Sequence, residues 1–368
     1  MVGEGGELPL PWLAATLRDA LQTRHAHALL VHGPQGVGQF ELSLTLAQAW
    51  LCEATDLAAR PCGGCASCRL VLAHAHPDML VLLPDALREP LGWAPAGGDD
   101  EGASDKASKA KPSKEIKVDA VRKAIEFAQT TSARGRCKVV VIHPAERMNG
   151  VAANALLKTL EEPAGAARFV LSGAATDALL PTIRSRCQSL PMVLPPTAMA
   201  VDWLAQRGVA DAAVMLAATG GQPQEALEWA SQGIDAALWR RLPAVVQGGE
   251  WGVLAAWPLP RLVDALQKLC HDAACVAAGA APRYFPAASV PQAADAAALT
   301  AWMRELLRVA RHAEHPWSAA LVCESLVQQG QRALSVMSAL SAPQRQHGRG
   351  AASGAGPRGA GLSVHSRT

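Results

Sequence analysis

Two groups of residues in this 368-residue chain have the types and spacing that chemistry requires. The first is the turn Gly33-Pro34-Gln35-Gly36-Val37-Gly38-Gln39-Phe40. A working phosphate loop reads G-x-x-x-x-G-K-[ST]: backbone N–H groups cradle phosphate, the lysine reaches the outer phosphates, and the hydroxyl holds magnesium. Gly33 and Gly38 stand at the required separation with Gly36 between them, but Gln39 takes the lysine position and Phe40 the hydroxyl position. A neutral amide cannot offset phosphate charge, and a phenyl ring cannot ligate a metal. The spacing therefore predicts a vestigial phosphate loop: the shape without the chemistry. The carboxylate expected after the next core strand is displaced as well. The chain reads His143-Pro144-Ala145-Glu146 there, so Glu146 is the acidic side chain that could substitute.

The second group is Cys52, Cys62, Cys65 and Cys68. Two overlapping C-x-x-C steps and a cysteine nine intervening residues upstream let four thiolates converge on one tetrahedral zinc. Gly63 and Gly64 relieve the crowding of such a knuckle, and Arg60 and Arg69 are expected to favour the thiolate form. With no open coordination position, the zinc would be structural. Two alternatives stay open. An iron–sulfur cluster uses a similar run, usually with a further cysteine and a following proline. A thioredoxin-like redox pair would need the motif to open a helix after a strand, whereas a loop is expected here. His74 and His76 are read as bystanders, and Cys137, Cys187, Cys270, Cys275 and Cys323 mostly as small core residues.

The elements that must position these groups follow from periodicity. Residues 12–25 repeat leucines at helical spacing, 28–31 read as a buried strand, and a helix through Leu42, Leu46 and Trp50 follows the glycine turn. Further strands are expected at 79–83, 138–142 and 168–172, the last leading toward Leu190. Helices at 118–130 and 151–162 alternate with them, the second stopped by Pro163. This alternation predicts an α/β domain with a parallel sheet covered by helices on both faces. Residues 92–115 exchange periodic apolar residues for Gly, Ala, Pro, Asp, Ser and Lys, and are expected to be a disordered insertion. Beyond Pro195-Pro196 only helices are expected: a small group at 197–232 parted by Gly220-Gly221, then a longer helical stretch at 236–342. Residues 343–368, rich in Gly, Ser, Ala and Arg, are expected to be a disordered tail.

Composition narrows the function classes. Half of the residues are hydrophobic and 18% charged, which is not the profile of a disordered chain. No apolar run reaches the ~18–20 residues of a membrane span, and the N-terminus lacks a signal-peptide pattern. A soluble, cytoplasmic protein with no membrane partner is expected, in which nine cysteines are not a disulfide framework. Thirty-four basic against 32 acidic side chains leave +2, so nothing pushes the whole surface toward nucleic acid.

A last segment, Thr182-Ile183-Arg184-Ser185-Arg186-Cys187, joins the run Ala153-Asn154-Ala155-Leu156-Leu157-Lys158-Thr159-Leu160-Glu161-Glu162-Pro163, the degenerate loop, the four cysteines, His76-Pro77-Asp78 and Val118-Asp119-Ala120-Val121-Arg122 in one order. Over residues 10–230, approximately, the chain resembles the bacterial clamp-loader AAA+ family, in its delta-prime branch. The resemblance implies three regions: an AAA+-like domain at 1–190, carrying the zinc module 52–68 and the insertion 92–115; a small helical lid at 191–235; and a helical oligomerisation collar at 236–342. It implies that Arg186 is an arginine finger acting in trans on a neighbour's ATP, with Arg184 as second choice. A guanidinium suits that work because it stays charged and can engage phosphate oxygens in pairs.

Several nucleotide contacts of active family members are missing together. Gly173 and Ala174 stand at the polar sensor positions, and Pro223 at the lid arginine. The resemblance therefore implies a subunit that hydrolyses no ATP itself. Its partners would be gamma/tau ATPase subunits and a delta subunit, with the β sliding clamp and primer-template DNA reached through the complex. That assembly belongs to DNA polymerase III, a DNA-directed DNA polymerase and nucleotidyltransferase acting in DNA replication. The rivals are an active ATPase with an atypical loop, a cysteine-cluster redox protein, and direct DNA binding by the arginines of the tail.

Overall fold

A computed structural model describes residues 1–23, 26–93, 112–292, 295–312 and 318–335. Apolar runs too short for helices become strands, and each is paired in parallel with its neighbours. In chain order the first part comprises α1 (Leu13–Thr23), β1 (Ala28–His32), α2 (Gln39–Leu51), α3 (Ala66–Leu72), β2 (Met79–Leu82), the single turn α4 (Asp85–Arg88) and α5 (Val118–Gln129). It continues through β3 (Val139–Ile142), α6 (Gly150–Glu161), β4 (Arg168–Gly173), the short α7 (Pro181–Arg184) and β5 (Gln188–Pro191). The five strands lie in the order β2-β3-β4-β1-β5, so the glycine turn leaves a strand buried between two others.

Strand alternation splits the core in two. Leu29, Val31, Val139, Val141 and Val170 face α1 and α2, whereas Leu30, Val140, Ile142, Phe169 and Leu171 face α5 and α6. Helix α6 starts where the Asn149 side chain accepts the Ala152 N–H at 2.9 Å and stops two residues before Pro163. The parallel sheet covered on both faces is thus as expected.

Both ends of the predicted insertion are among the described residues. Trp93 stacks on His74 with ring centroids 3.9 Å apart, and the Ser113 carbonyl accepts the Ala86 N–H at 3.0 Å. These ends belong to the fold because each has a partner in it. Residues 94–111, with Lys106, Lys109 and Lys111, lie outside the described residues, as does the whole predicted tail 343–368.

After β5 the described chain is helical: α8 (Thr197–Gln206), α9 (Ala212–Ala218), α10 (Pro223–Ser231), α11 (Ala236–Gly248), α12 (Leu259–Ala277), α13 (Ala296–Arg311) and α14 (Ala319–Leu334). One apolar cluster runs from the α1/α2 face of the sheet through these helices to Leu334. Trp12 meets Trp203 edge to face at 5.3 Å, joining α8 to the sheet domain. In α12 the fully buried Asp272 carboxylate accepts the N–H groups of Arg283, Tyr284 and Phe285 at 2.7–2.9 Å, which ties down the connection to α13. No helix among the described residues is long and apolar enough to cross a membrane.

Candidate functional site

The carboxyl ends of β1, β3 and β4 open onto a cleft of about 620 Å³. Gly36 (φ +72°) and Gly38 (φ +99°) take the left-handed backbone that curls the loop, so the shape predicted from the glycines is present. Its interior is filled by the chain's own side chains. Gln39 Nε2 donates to the Gly33 carbonyl at 2.9 Å and to the Pro34 carbonyl at 2.5 Å, so the amide closes the loop on itself. The Phe40 ring stacks on His143 (centroids 4.8 Å, 25° between planes), and His143 Nδ1 lies 3.1 Å from Ser172 Oγ. Burial pushes the His143 imidazole down to about 4, so at neutral pH the ring carries no charge.

Glu146, the acidic side chain after β3, is turned onto the backbone at the end of β4. Its Oε1 accepts the N–H groups of Ala174 and Ala175 at 3.1 and 3.2 Å, and its carboxylate fills the space that a β-carbon at residue 173 would need. Gly173 is thereby the partner of this carboxylate at the end of β4. Pro223 begins α10, whose next residue ties it to the loop and to α2: the Gln224 N–H reaches the Gly36 carbonyl at 3.4 Å, and Gln224 Nε2 donates to Glu41 Oε1 at 2.6 Å. A guanidinium reaches the cleft from α12 instead of from this helix. Arg261, bonded to Gln232 and, at 3.4 Å, to Glu228, has no signal in the sequence, because no local pattern ties residue 261 to a loop at 33–40.

At the amino ends of the strands the four predicted cysteines converge. Their Sγ atoms all lie within 4.8 Å of one another, with Cys52 and Cys65 4.0 Å apart. Zinc–sulfur bonds of about 2.3 Å place tetrahedral sulfurs ~3.8 Å from each other, so the set fits zinc. Backbone N–H groups already point at the sulfurs: Cys62 N–H at Cys52, and those of Glu53 and Cys68 at Cys65, at 3.4–3.5 Å. The Cys65 N–H lowers the Cys62 thiol to about 7, whereas burial raises Cys52.

Two details differ from expectation. Cys65 caps α3 and Cys68 lies in its first turn, so the motif does open a helix, while all four sulfurs converge into a group that could hold a metal ion. The arginines are engaged elsewhere, because carbonyls and a carboxylate outcompete sulfur as acceptors. Arg60 Nε donates to the Ala54 carbonyl at 2.7 Å, and Arg69 pairs with Glu4 at 3.3 Å. His74 and His76 are outside the cluster, and Cys137, Cys187, Cys270 and Cys323 are buried.

The knuckle is tied to the sheet by a charged node. Arg134 bridges Glu53 (2.5 Å) and Ser67 (3.0 Å), while its own N–H and that of Ala133 bond the fully buried Asp78. Lys138 Nζ completes the node 3.1 Å from Asp78. Burial alone would raise the Asp78 carboxyl, but the Ala133, Arg134, Lys138 and Ser132 donors outweigh it and hold the group at about 2.

Also at the amino ends, α7 and the turn before β5 present the two candidate arginines. Arg186 donates from Nη2 (2.9 Å) and Nε (3.2 Å) to Glu161 Oε2, and from Nη1 to the Thr182 carbonyl at 3.2 Å. Arg184 meets Asp177 at 3.3 Å, through a partner that is fully exposed. The structure therefore separates the predicted residues into three places: the glycine loop at one end of the sheet, and the cysteines and arginines at the other.

Comparison with known proteins matches residues 13–195 to the family described as "DNA polymerase III, delta subunit". A DNA polymerase III subunit delta' of Pseudomonas aeruginosa is 37% identical over 218 residues, 58% of each chain. The alignment thus spans little more than half the length of that relative. The subunit delta' of Escherichia coli is 31% identical over 291 residues, covering 72% of this chain and 78% of the relative. The subunit tau of Escherichia coli is 32% identical over 161 residues, 44% of this chain and 20% of its own.

Proposed function

The chain belongs to the DNA polymerase III delta-prime family, and from that premise we propose that it is a clamp-loader subunit that hydrolyses no ATP itself and lends Arg186 to a neighbouring ATPase subunit. The observation that carries this reading is the contrast between Gln39 and Arg186. Where a motor subunit needs a free lysine, Gln39 is bonded to the loop's own carbonyls, and Phe40 and His143 occupy the place of the metal-binding hydroxyl and carboxylate. Where a neighbour's nucleotide would need a cation, Arg186 sits at the surface on an anchored turn. A guanidinium adds to another subunit's transition state without a phosphate site of its own.

In this reading residues 1–190 form the AAA+-like domain, 191–235 the lid and 236–342 the collar. Gamma/tau and delta subunits are the direct partners, and the β clamp and primed DNA are handled by the whole assembly during replication. Zinc held by Cys52, Cys62, Cys65 and Cys68 is structural. The Glu41–Gln224 bond supports a lid fixed on the loop instead of one that opens and closes with nucleotide.

The test is co-purification with gamma/tau and delta subunits, paired with ATP binding by the isolated chain. Assembly with those subunits and no ATP binding is expected. Micromolar ATP affinity of the chain alone, or failure to enter the complex, overturns the proposal.

A further inference from the structure

We propose that Glu161 is the positioning residue for Arg186, holding its guanidinium ready for an incoming phosphate instead of merely neutralising it. The inference rests on the finger reading above. A guanidinium carries five N–H donors. Glu161 Oε2 takes one from Nε and one from Nη2, and the Thr182 carbonyl takes one from Nη1. One N–H on each terminal nitrogen is left, the pair with which arginine engages phosphate oxygens.

Both partners stand on fixed ground. Glu161 ends α6, whose Leu156 and Leu160 are buried in the core and whose last turn is closed by the Glu162 N–H on the Lys158 carbonyl. Arg186 follows a turn pinned by the buried Ile183, by the Ser185 N–H on the Pro181 carbonyl and by its own N–H on the Ile183 carbonyl. The Arg186 side chain is accordingly 29% exposed. The Arg184 side chain makes one bond, to the fully exposed Asp177, against three for Arg186. A long side chain that already occupies one rotamer loses less freedom when it meets its target, so the benefit falls on turnover and not on the neighbour's affinity for ATP.

The experiment uses the reconstituted clamp loader and follows DNA-stimulated ATP hydrolysis with R186A, E161A, E161Q and the double variant R186A/E161A. Glu161→Ala is expected to lower kcat roughly three- to tenfold with KM for ATP unchanged. Glu161→Gln, which keeps an acceptor oxygen for Nε and Nη2, should restore turnover to within about twofold of the parent. The double variant should match R186A. If R186A lowers kcat but E161A leaves it unchanged or raises it, or if E161Q fails to restore it, the positioning role falls while the finger reading stands. If R186A itself leaves kcat unchanged, both fall.

Discussion

The two ends of one parallel sheet have been treated in opposite ways. At the carboxyl ends of β1, β3 and β4 the chain keeps the glycine curl of a phosphate loop, yet neutral groups fill it: the Gln39 amide, the Phe40 ring and an uncharged His143. At the amino ends it gathers thiols and charge: four converging sulfurs that could hold a metal, the Asp78 node and the Arg186–Glu161 pair. The difference teaches that backbone shape and site chemistry are separable. The loop's φ values persist because β1 and α2 need that turn, and only side chains decide whether phosphate is welcome.

The comparison breaks most violently at the cysteines. Cys65→Ser, or removal of metal by a chelator, should release about one zinc per chain and destabilise the α2–α3 connection by at least ~3 kcal/mol, since structural zinc supplies about 10–16 kcal/mol in small peptides. Elemental analysis with thermal unfolding reads both effects. A metal-free protein of unchanged melting temperature would mean that this end of the sheet is no more chemically equipped than the other.

A smaller loss should follow from the Asp78 node. The carboxyl is depressed in the folded chain to about 2, below its unfolded value near 3.9. Its stabilisation is therefore fully present above about pH 4 and disappears as pH falls through about 2. A shift of this size contributes about 2–3 kcal/mol. Asp78→Asn should lose about that much at neutral pH and flatten the acid limb of a denaturant-monitored stability profile. An unaltered limb would show that the donors around Asp78 contribute nothing net.

The least effect is expected where the sequence looks most repairable. Gln39→Lys with Phe40→Ser restores the motif's letters, but His143, Glu146 and Pro223 remain, so ATP turnover by the isolated chain should stay at background in a phosphate-release assay. Turnover above background would show that the two ends differ by only two residues.

Much of this could be read before any coordinates. Glycine spacing announced the loop, four cysteines at two spacings announced the knuckle, and β-branched runs between amphipathic segments announced the sheet, because each signal is local and periodic. What escaped depends on how loops curl and on contacts between residues far apart in the chain. That Gln39 bonds the Gly33 and Pro34 carbonyls and that Arg60 turns back on the Ala54 carbonyl depend on how each loop curls, and that Arg69 turns toward Glu4 depends on the N-terminal segment laid beside the knuckle. The arrival of Arg261 from α12 depends on how the later helices stack on the loop. The Arg186–Glu161 pair joins two motifs that the sequence presents 25 residues apart, with nothing in either to say that they touch.

The central claim, that this chain gives an arginine to a neighbour and keeps no nucleotide chemistry of its own, is tested most directly by DNA-stimulated ATP hydrolysis in the reconstituted complex carrying Arg186→Ala. The account predicts an intact complex whose turnover falls at least about tenfold, in line with the large effects of arginine fingers. An intact complex with undiminished turnover would contradict it.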